Sequence, residues 1–259
     1  MIERVDRVVI GATDLGAAVV AFQTLGFQVG PPIAGAARIP LEGADLVLVD
    51  LHAPAVAGQW AATALADFLR ERPGGLLGYA VAADFATARA RLPDATLLEA
   101  AALALNALGW RGAAPVVVPG GPVAPAGAEH PNGVRRLCEL AVVVEDLEQG
   151  IARYAALGLR PQQRDEVIPW RALRATFVLG SLELHLCAPN APGLVAGMLA
   201  LYGEGLWQVV LGVQELAAAR RWLGERGVAL LPAPGMAGDA LVAPERAMGA
   251  RLVLREDAA

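Results

Sequence analysis

Residues 8–27 read VVIGATDLGAAVVAFQTLGF: an apolar run, an acid, apolar residues at helical spacing, and a glycine. The phrase returns as LAVVVEDLEQGIARYAALGL at 140–159 and VVLGVQELAAARRWLGERGV at 209–228, and more faintly as GYAVAADFATARARLPDA at 78–95. In the three strong copies the acid and the glycine stand 12 apart: Asp14 to Gly26, Asp146 to Gly158, Glu215 to Gly227. An acid ahead of a helical period is an N-cap signal and a glycine behind it is a C′ stop, so each copy predicts a strand followed by a helix. Asp146 lies 132 after Asp14 and Glu215 lies 131 after Asp84, which divides the chain into two similar halves of two modules each.

In the first module Val8–Gly11 predicts a strand and Leu15–Leu25 a helix capped by Asp14 or Thr13. Three more strands follow at Phe27–Val29, Ala36–Leu41 and Asp45–Leu51, the last two joined by a Glu42-Gly43 turn, giving the order βαβββ. The third module repeats it with a strand over 140–144, a helix over 147–157 and strands over 160–163, 172–179 and 182–187. The fourth ends Gly249-Ala250-Arg251-Leu252-Val253-Leu254, an echo of Gly43-Ala44-Asp45-Leu46-Val47-Leu48 that differs where Asp45 faces Arg251. The second is the weakest copy, from about Leu77 to Val118. Between modules, 55–72 and 192–202 predict helices, and the Pro- and Gly-rich stretch 119–132 predicts a linker. The expected class is α+β, in two tandem domains. An N-terminal domain spans 1–125, with modules 1–55 and 75–120, and a C-terminal domain spans 133–259, with modules 133–190 and 203–257.

Composition excludes more than it selects. With 259 residues, 56% of them hydrophobic, the chain is far from the disordered range. A net charge of −5 and no basic stripe argue against nucleic acid as a partner. Apolar runs are broken by Gly, Pro or charge too soon to span a membrane, and MIERVDRVV lacks the shape of a signal peptide. The default expectation is therefore a cytoplasmic protein, with Cys138 and Cys187 as buried thiols outside any disulfide.

Period-two alternation singles out LELHLC at 182–187. Leu182, Leu184 and Leu186 share one sheet face, while Glu183 and His185 share the other, which must be wet or bind something.

Paired modules of this kind resemble the vicinal oxygen chelate superfamily, which includes glyoxalase I, extradiol dioxygenases and bleomycin-resistance proteins. More narrowly the chain is similar to glyoxalase-like-domain proteins, on Arg4–Leu15, Ala36–Leu41 before the Gly43 turn, His130-Pro131-Asn132-Gly133 and Gly180–Pro189. The resemblance implies curved mixed sheets with helices on the outer face, and a divalent metal held from the first and last strands of each module. Counting eight back from Leu15, Phe85, Leu147 and Leu216 places the first-strand positions at Arg7, Leu77, Glu139 and Gln208. The echoes place the last-strand positions at Val47, Glu183 and Val253, with that of the second module near 115–118. Arg7, Leu77 and Val47 offer no ligand, since a guanidinium has no lone pair to give, so the N-terminal half is expected to be metal-free. Glu139, Glu183 and Gln208, with His185 beside them, could hold Mg, Mn, Ni or Zn. With three His in the chain, an iron site for extradiol cleavage is improbable.

Each residue has a plainer reading. Glu183 and His185 serve either as ligand and acid/base or as a hydrogen-bonded pair, and Glu139 is a ligand or a partner for Arg174 or Arg135. Arg7 either binds an anionic ligand or joins an ion pair; His130 either lines the pocket or fixes a turn. Trp170 and Arg171 form a platform for a planar substrate or pack at an edge, whereas Trp207 is expected in the core. The favoured function is binding of a small, largely apolar or aromatic molecule in a concave sheet pocket, without a cofactor. The alternative is a divalent-metal-assisted lyase, isomerase or hydrolase; a third role is as a scaffold. A homodimer is compatible with all three.

Overall fold

The structure, a computed structural model, describes residues 2–53, 73–91, 96–98, 102–104, 115–120 and 128–257. Fifteen strands are present among them: β1 Ile2–Ala12, β2 Ala36–Pro40, β3 Asp45–Asp50, β4 Gly74–Ala83, β5 Thr96–Leu98, β6 Ala102–Ala104, β7 Val116–Pro119, β8 Val134–Val143, β9 Gln163–Val167, β10 Ala172–Leu179, β11 Leu182–Pro189, β12 Gly205–Val213, β13 Leu230–Pro232, β14 Ala240–Val242 and β15 Leu252–Glu256. The α-helices are α1 Leu15–Thr24, α2 Phe85–Arg91, α3 Leu147–Ala156, α4 Leu194–Tyr202 and α5 Leu216–Gly224. The helix expected over 55–72 and residues 121–127 of the linker fall outside the described residues.

The caps behave as their chemistry requires. Asp14, Asp84 and Asp146 each accept a backbone N–H three residues on, at 2.9, 3.0 and 2.8 Å. Glu215, one methylene longer, makes no such bond; Glu256 of β15 reaches across to accept Leu216 N–H at 3.0 Å instead. Gly26, Gly158 and Gly227 stand at φ +84°, +84° and +70°, the left-handed stop that the repeat predicted.

Two strand expectations fail locally. Phe27–Val29 forms no strand, because Phe27 N–H returns to Phe22 O and Gln28 N–H is taken by the His130 ring. The strand expected at 160–163 is displaced to Gln163–Val167, beyond Pro161, which has no N–H to give a ladder.

The strands form a seven-stranded sheet, β2-β3-β1-β4-β7-β6-β5, and an eight-stranded sheet, β13-β14-β15-β12-β8-β11-β10-β9. Each sheet therefore gathers the strands of one sequence half, and the passage between them falls where the linker was expected. Chain compactness divides differently. One unit comprises Met1–Asp6, Gly78–Pro122 and Glu139–Trp207; the other comprises Arg7–Leu77, Val123–Cys138 and Gln208–Ala259. The first is chiefly the second and third modules, and the other chiefly the first and fourth.

Within the first unit, α3 packs on β10 and β11. Leu182, Leu184, Leu186 and Phe177 are buried on that face, with the Phe177 and Tyr154 rings 5.6 Å apart. Burying each of these side chains contributes about 1.5–3 kcal/mol, which locks the β11 register and commits Glu183 and His185 to the opposite face. The Tyr79 and Tyr154 hydroxyls are hydrogen-bonded in the same core.

Candidate functional site

β8 and β11 run parallel, with Glu139 opposite Glu183 and Ala141 opposite His185. Across β11, His185 faces Thr176 and Cys187 faces Arg174 on β10, and Arg174 in turn faces Asp165 on β9. Alternation therefore puts Glu139, Glu183, His185, Thr176, Arg174 and Asp165 on one face, away from α3.

At its centre the His185 imidazole lies between two carboxylates. Nδ1 is 3.1 Å from Glu139 Oε1, and Nε2 is 3.1 Å from Glu183 Oε2. His185 is 1% and Glu139 3% exposed, whereas the Glu183 side chain is 53% exposed. The three ligand atoms lie within 4.8 Å of one another. The Nε2 contact with Glu183 is a hydrogen bond, and the Nδ1 contact with Glu139 is a close approach of charge-bearing groups.

Beside this triad Arg174 grips Asp165 through Nε at 2.9 Å and Nη2 at 2.6 Å. That hydrogen bond holds the Asp165 carboxyl below its ordinary range, with the nearby His185 acting in the same direction, and raises the guanidinium in turn. Glu139 faces His185 and its charge also acts on the Arg174 guanidinium, whereas Arg135 pairs with Glu42 at 3.1 Å. Cys187 lies at the buried end of the same face, its thiol pushed up to about 12 by burial.

The strand register also corrects two sequence assignments. Arg7 pairs with Asp45 as Glu139 pairs with Glu183, so the last-strand position of the first module is Asp45, not Val47. In the fourth module Val209 pairs with Leu252, which sets Arg251 opposite Gln208 and displaces Val253. The echo matched Asp45 with Arg251 in register; the slip lay in taking Val47 and Val253, two residues further on, as the equivalents of Glu183. The corresponding position of the second module lies outside the described residues.

The remaining residues singled out by sequence lie as follows. Gln208 is fully buried; its Oε1 accepts Arg251 Nε–H at 2.8 Å and its Nε2 donates to Met236 Sδ at 3.1 Å. Arg7 is exposed on β1. His130 accepts Gln28 N–H on Nδ1 at 2.9 Å and donates from Nε2 to Pro40 O at 3.0 Å, so both nitrogens are spent on backbone, as a turn clamp requires. Trp170 is buried edge-to-face against Trp207, with centroids 5.3 Å apart, which is a packing arrangement and not an open platform. Arg171 is exposed in the left-handed region at φ 53°. Asp165 was not singled out; the signal was its place two strands from His185 at matching parity. Both cysteines are free thiols, and among the described residues no helix is long and apolar enough to cross a membrane.

This fold, of one βαββ and three βαβββ modules in two mixed sheets, is found in known proteins. Residues 138–243 match the glyoxalase/bleomycin resistance protein/dioxygenase superfamily. A mutant of 4-hydroxymandelate synthase from Streptomyces coelicolor is similar over 100% of this chain and 94% of its own, at 18% identity and TM-score 0.68. Methylmalonyl-CoA epimerase from Mycobacterium tuberculosis is similar over 49% of this chain and 91% of its own, at 25% identity and TM-score 0.44. Its Streptomyces coelicolor counterpart covers 49% and 96%, at 22% identity and TM-score 0.43. No curated protein sequence matches the chain. Residues 138–243 are thus similar to that superfamily, and the chain as a whole shares the fold of the 4-hydroxymandelate synthase mutant.

Proposed function

We propose that the chain binds a small, largely apolar or aromatic molecule on the β8–β11 face, with Glu139, His185 and Glu183 as its polar centre. The observation that carries this reading is the imidazole contacted on both nitrogens, by a buried carboxylate on one side and an exposed one on the other. Convergent polar groups bordered by apolar side chains are what a small-molecule site needs, and here the polar side continues to Thr176 and the Arg174–Asp165 pair. Ala141 and Val143, both buried, lie opposite His185 and Cys187, and half-open Val178 lies opposite Glu183. Glu183 accepts a hydrogen bond from a ligand hydroxyl or amine, and His185, held between the two carboxylates, fixes the direction of that oxygen.

A second reading, metal-assisted lyase, isomerase or hydrolase chemistry, is favoured by the spacing of the three ligand atoms. Two carboxylates and an imidazole within 4.8 Å fit a hard or borderline divalent cation. Glu139, Glu183 and His185 would hold it, and it would polarise a ligand oxygen.

The test is a ligand-observed NMR screen of aromatic alcohols, amines and ketones, run with and without Mn²⁺, Zn²⁺, Ni²⁺ or Mg²⁺ on untagged protein. Hits that bind without metal and are lost in both Glu183→Gln and His185→Ala support the binding reading. Hits indifferent to both substitutions would refute it. Near-stoichiometric metal in the purified protein, lost in Glu183→Ala, moves the conclusion to the second reading.

A further inference from the structure

A cleft of about 520 Å³ opens between α5 and the turn at 131–133 that His130 clamps. That size lies within the range of small-molecule sites, about 300–1,000 Å³. Every residue lining it belongs to the unit built chiefly from the first and fourth modules. Both walls are fixed by bonds that leave the cleft itself free. On the turn side Asn132 donates to Leu25 O at 2.8 Å and accepts Val134 N–H at 3.0 Å, while Gly133 O accepts Gln214 N–H at 3.1 Å. On the helix side the Trp222 ring is seated against Gly26, where a Cβ would lie 2.5 Å from it, and Arg226 stacks on it at 3.7 Å. Walls held this way need no ordering to admit a ligand, so little is lost on binding.

We propose that this cleft is a second ligand site, one that takes a free α-amino acid with an aromatic side chain. Ala218, half-buried one turn before Trp222, keeps the middle of the cleft open where a longer side chain would fill it. Arg221 and Glu225 line it one turn apart, the spacing at which opposite charges on a helix ordinarily pair. Among the described residues they do not pair: Glu225 leans on Arg226 at 3.7 Å, and the Arg221 guanidinium grips no acid. An α-amino acid carries a carboxylate and an ammonium on one carbon, so a single head group answers both charges, with charge-assisted hydrogen bonds to each. Its ring then lies along Ala218 and Pro131 against the indole. A plain acid or a plain amine answers one charge and leaves the other. Glu215 lines the far end, about 15 Å from Glu225 along the helix, and disfavours a ligand with a second carboxylate at its tail.

The experiment titrates the full chain with L-phenylalanine by ¹⁵N NMR at low ionic strength, beside 3-phenylpropanoate and phenethylamine, which each keep the ring and one charge of the head group. Saturable shifts on residues 132–133 and 214–225 are expected, with phenylalanine bound about two- to fivefold tighter than either analogue, the range for exposed charge pairs. Arg221→Gln should lower the affinity for phenylalanine to that for phenethylamine and leave phenethylamine unchanged. Ala218→Phe, which fills the cleft, should abolish saturation by all three. Should Ala218→Phe not fold, the ranking of the three probes and the exposed Arg221→Gln still decide. Non-saturating shifts, shifts centred on 139 and 183–185, an analogue bound as tightly as phenylalanine, or affinity unchanged in Arg221→Gln or Ala218→Phe would overturn the proposal.

Discussion

Replacing Gly26 by alanine tests whether equivalent positions of the repeat are energetically equivalent. Gly26 and Gly227 close α1 and α5 at φ +84° and +70°, so an added Cβ pays the left-handed cost at both, about 1–2 kcal/mol. At Gly227 the new atom meets nothing within 4 Å. At Gly26 it would lie 2.5 and 2.6 Å from two Trp222 ring carbons and 2.9 Å from Asn132 Cβ. Neither neighbour can yield freely: Arg226 lies 3.7 Å over the Trp222 ring, and Asn132 donates to Leu25 O and accepts from Val134 N. Overpacking of this kind adds about 1–3 kcal/mol. At roughly 2–4 °C per kcal/mol for a chain of this size, Gly26→Ala should melt about 2–12 °C below Gly227→Ala by circular dichroism. Combining Gly26→Ala with Trp222→Leu should recover part of that gap. Melting points for the two single variants within 2 °C of each other would refute the steric argument.

Glu139→Gln should cost about 1.5–3 kcal/mol, because it removes the charged partner of a buried imidazole. Glu183→Gln, at a half-exposed carboxylate, should cost about 0.2–1 kcal/mol; equal shifts in the urea midpoint would contradict the burial gradient. Burial lowers the His130 pKa below its ordinary 6.5, so the unfolded chain takes up the proton first and stability falls as pH drops below about 6.5. His130→Gln should flatten that part of the urea-midpoint profile between pH 7.5 and 5.5, and an unchanged slope would show that the clamp is not the titrating group. With its thiol at about 12, Cys187 should stay unreactive towards a disulfide reagent at pH 8 in native protein, leaving at most Cys138 to react.

The module was legible because its signals are local. An aspartate three residues from the N–H it caps, a glycine at the stop and alternating leucines on β11 need no knowledge of distant chain. Glu183 and His185 followed from that alternation, and Glu139 from the family resemblance. What sequence missed depends on register across strands. A two-residue slip in carrying Glu183 onto the other modules set Val47 and Val253 where Asp45 and Arg251 stand, although the change from Asp45 to Arg251 was itself visible in the echo. His130 and Trp170 were equally opaque, since whether an imidazole or an indole faces a ligand or a neighbouring backbone is decided by loops that carry no period.

The interleaving of the two compact units bears on how the chain reaches its folded state. Residues 7–77 find their compact partners in 208–259, more than a hundred residues later on the ribosome, while the second and third modules are neighbours in time as well as in space. Synthesis therefore completes the inner pair first and leaves the opening module waiting for the last one to emerge, with its unmatched apolar surface exposed to chaperones meanwhile. A fragment cut at the linker would keep every strand of its own sheet and still lack half of each unit it helps to build.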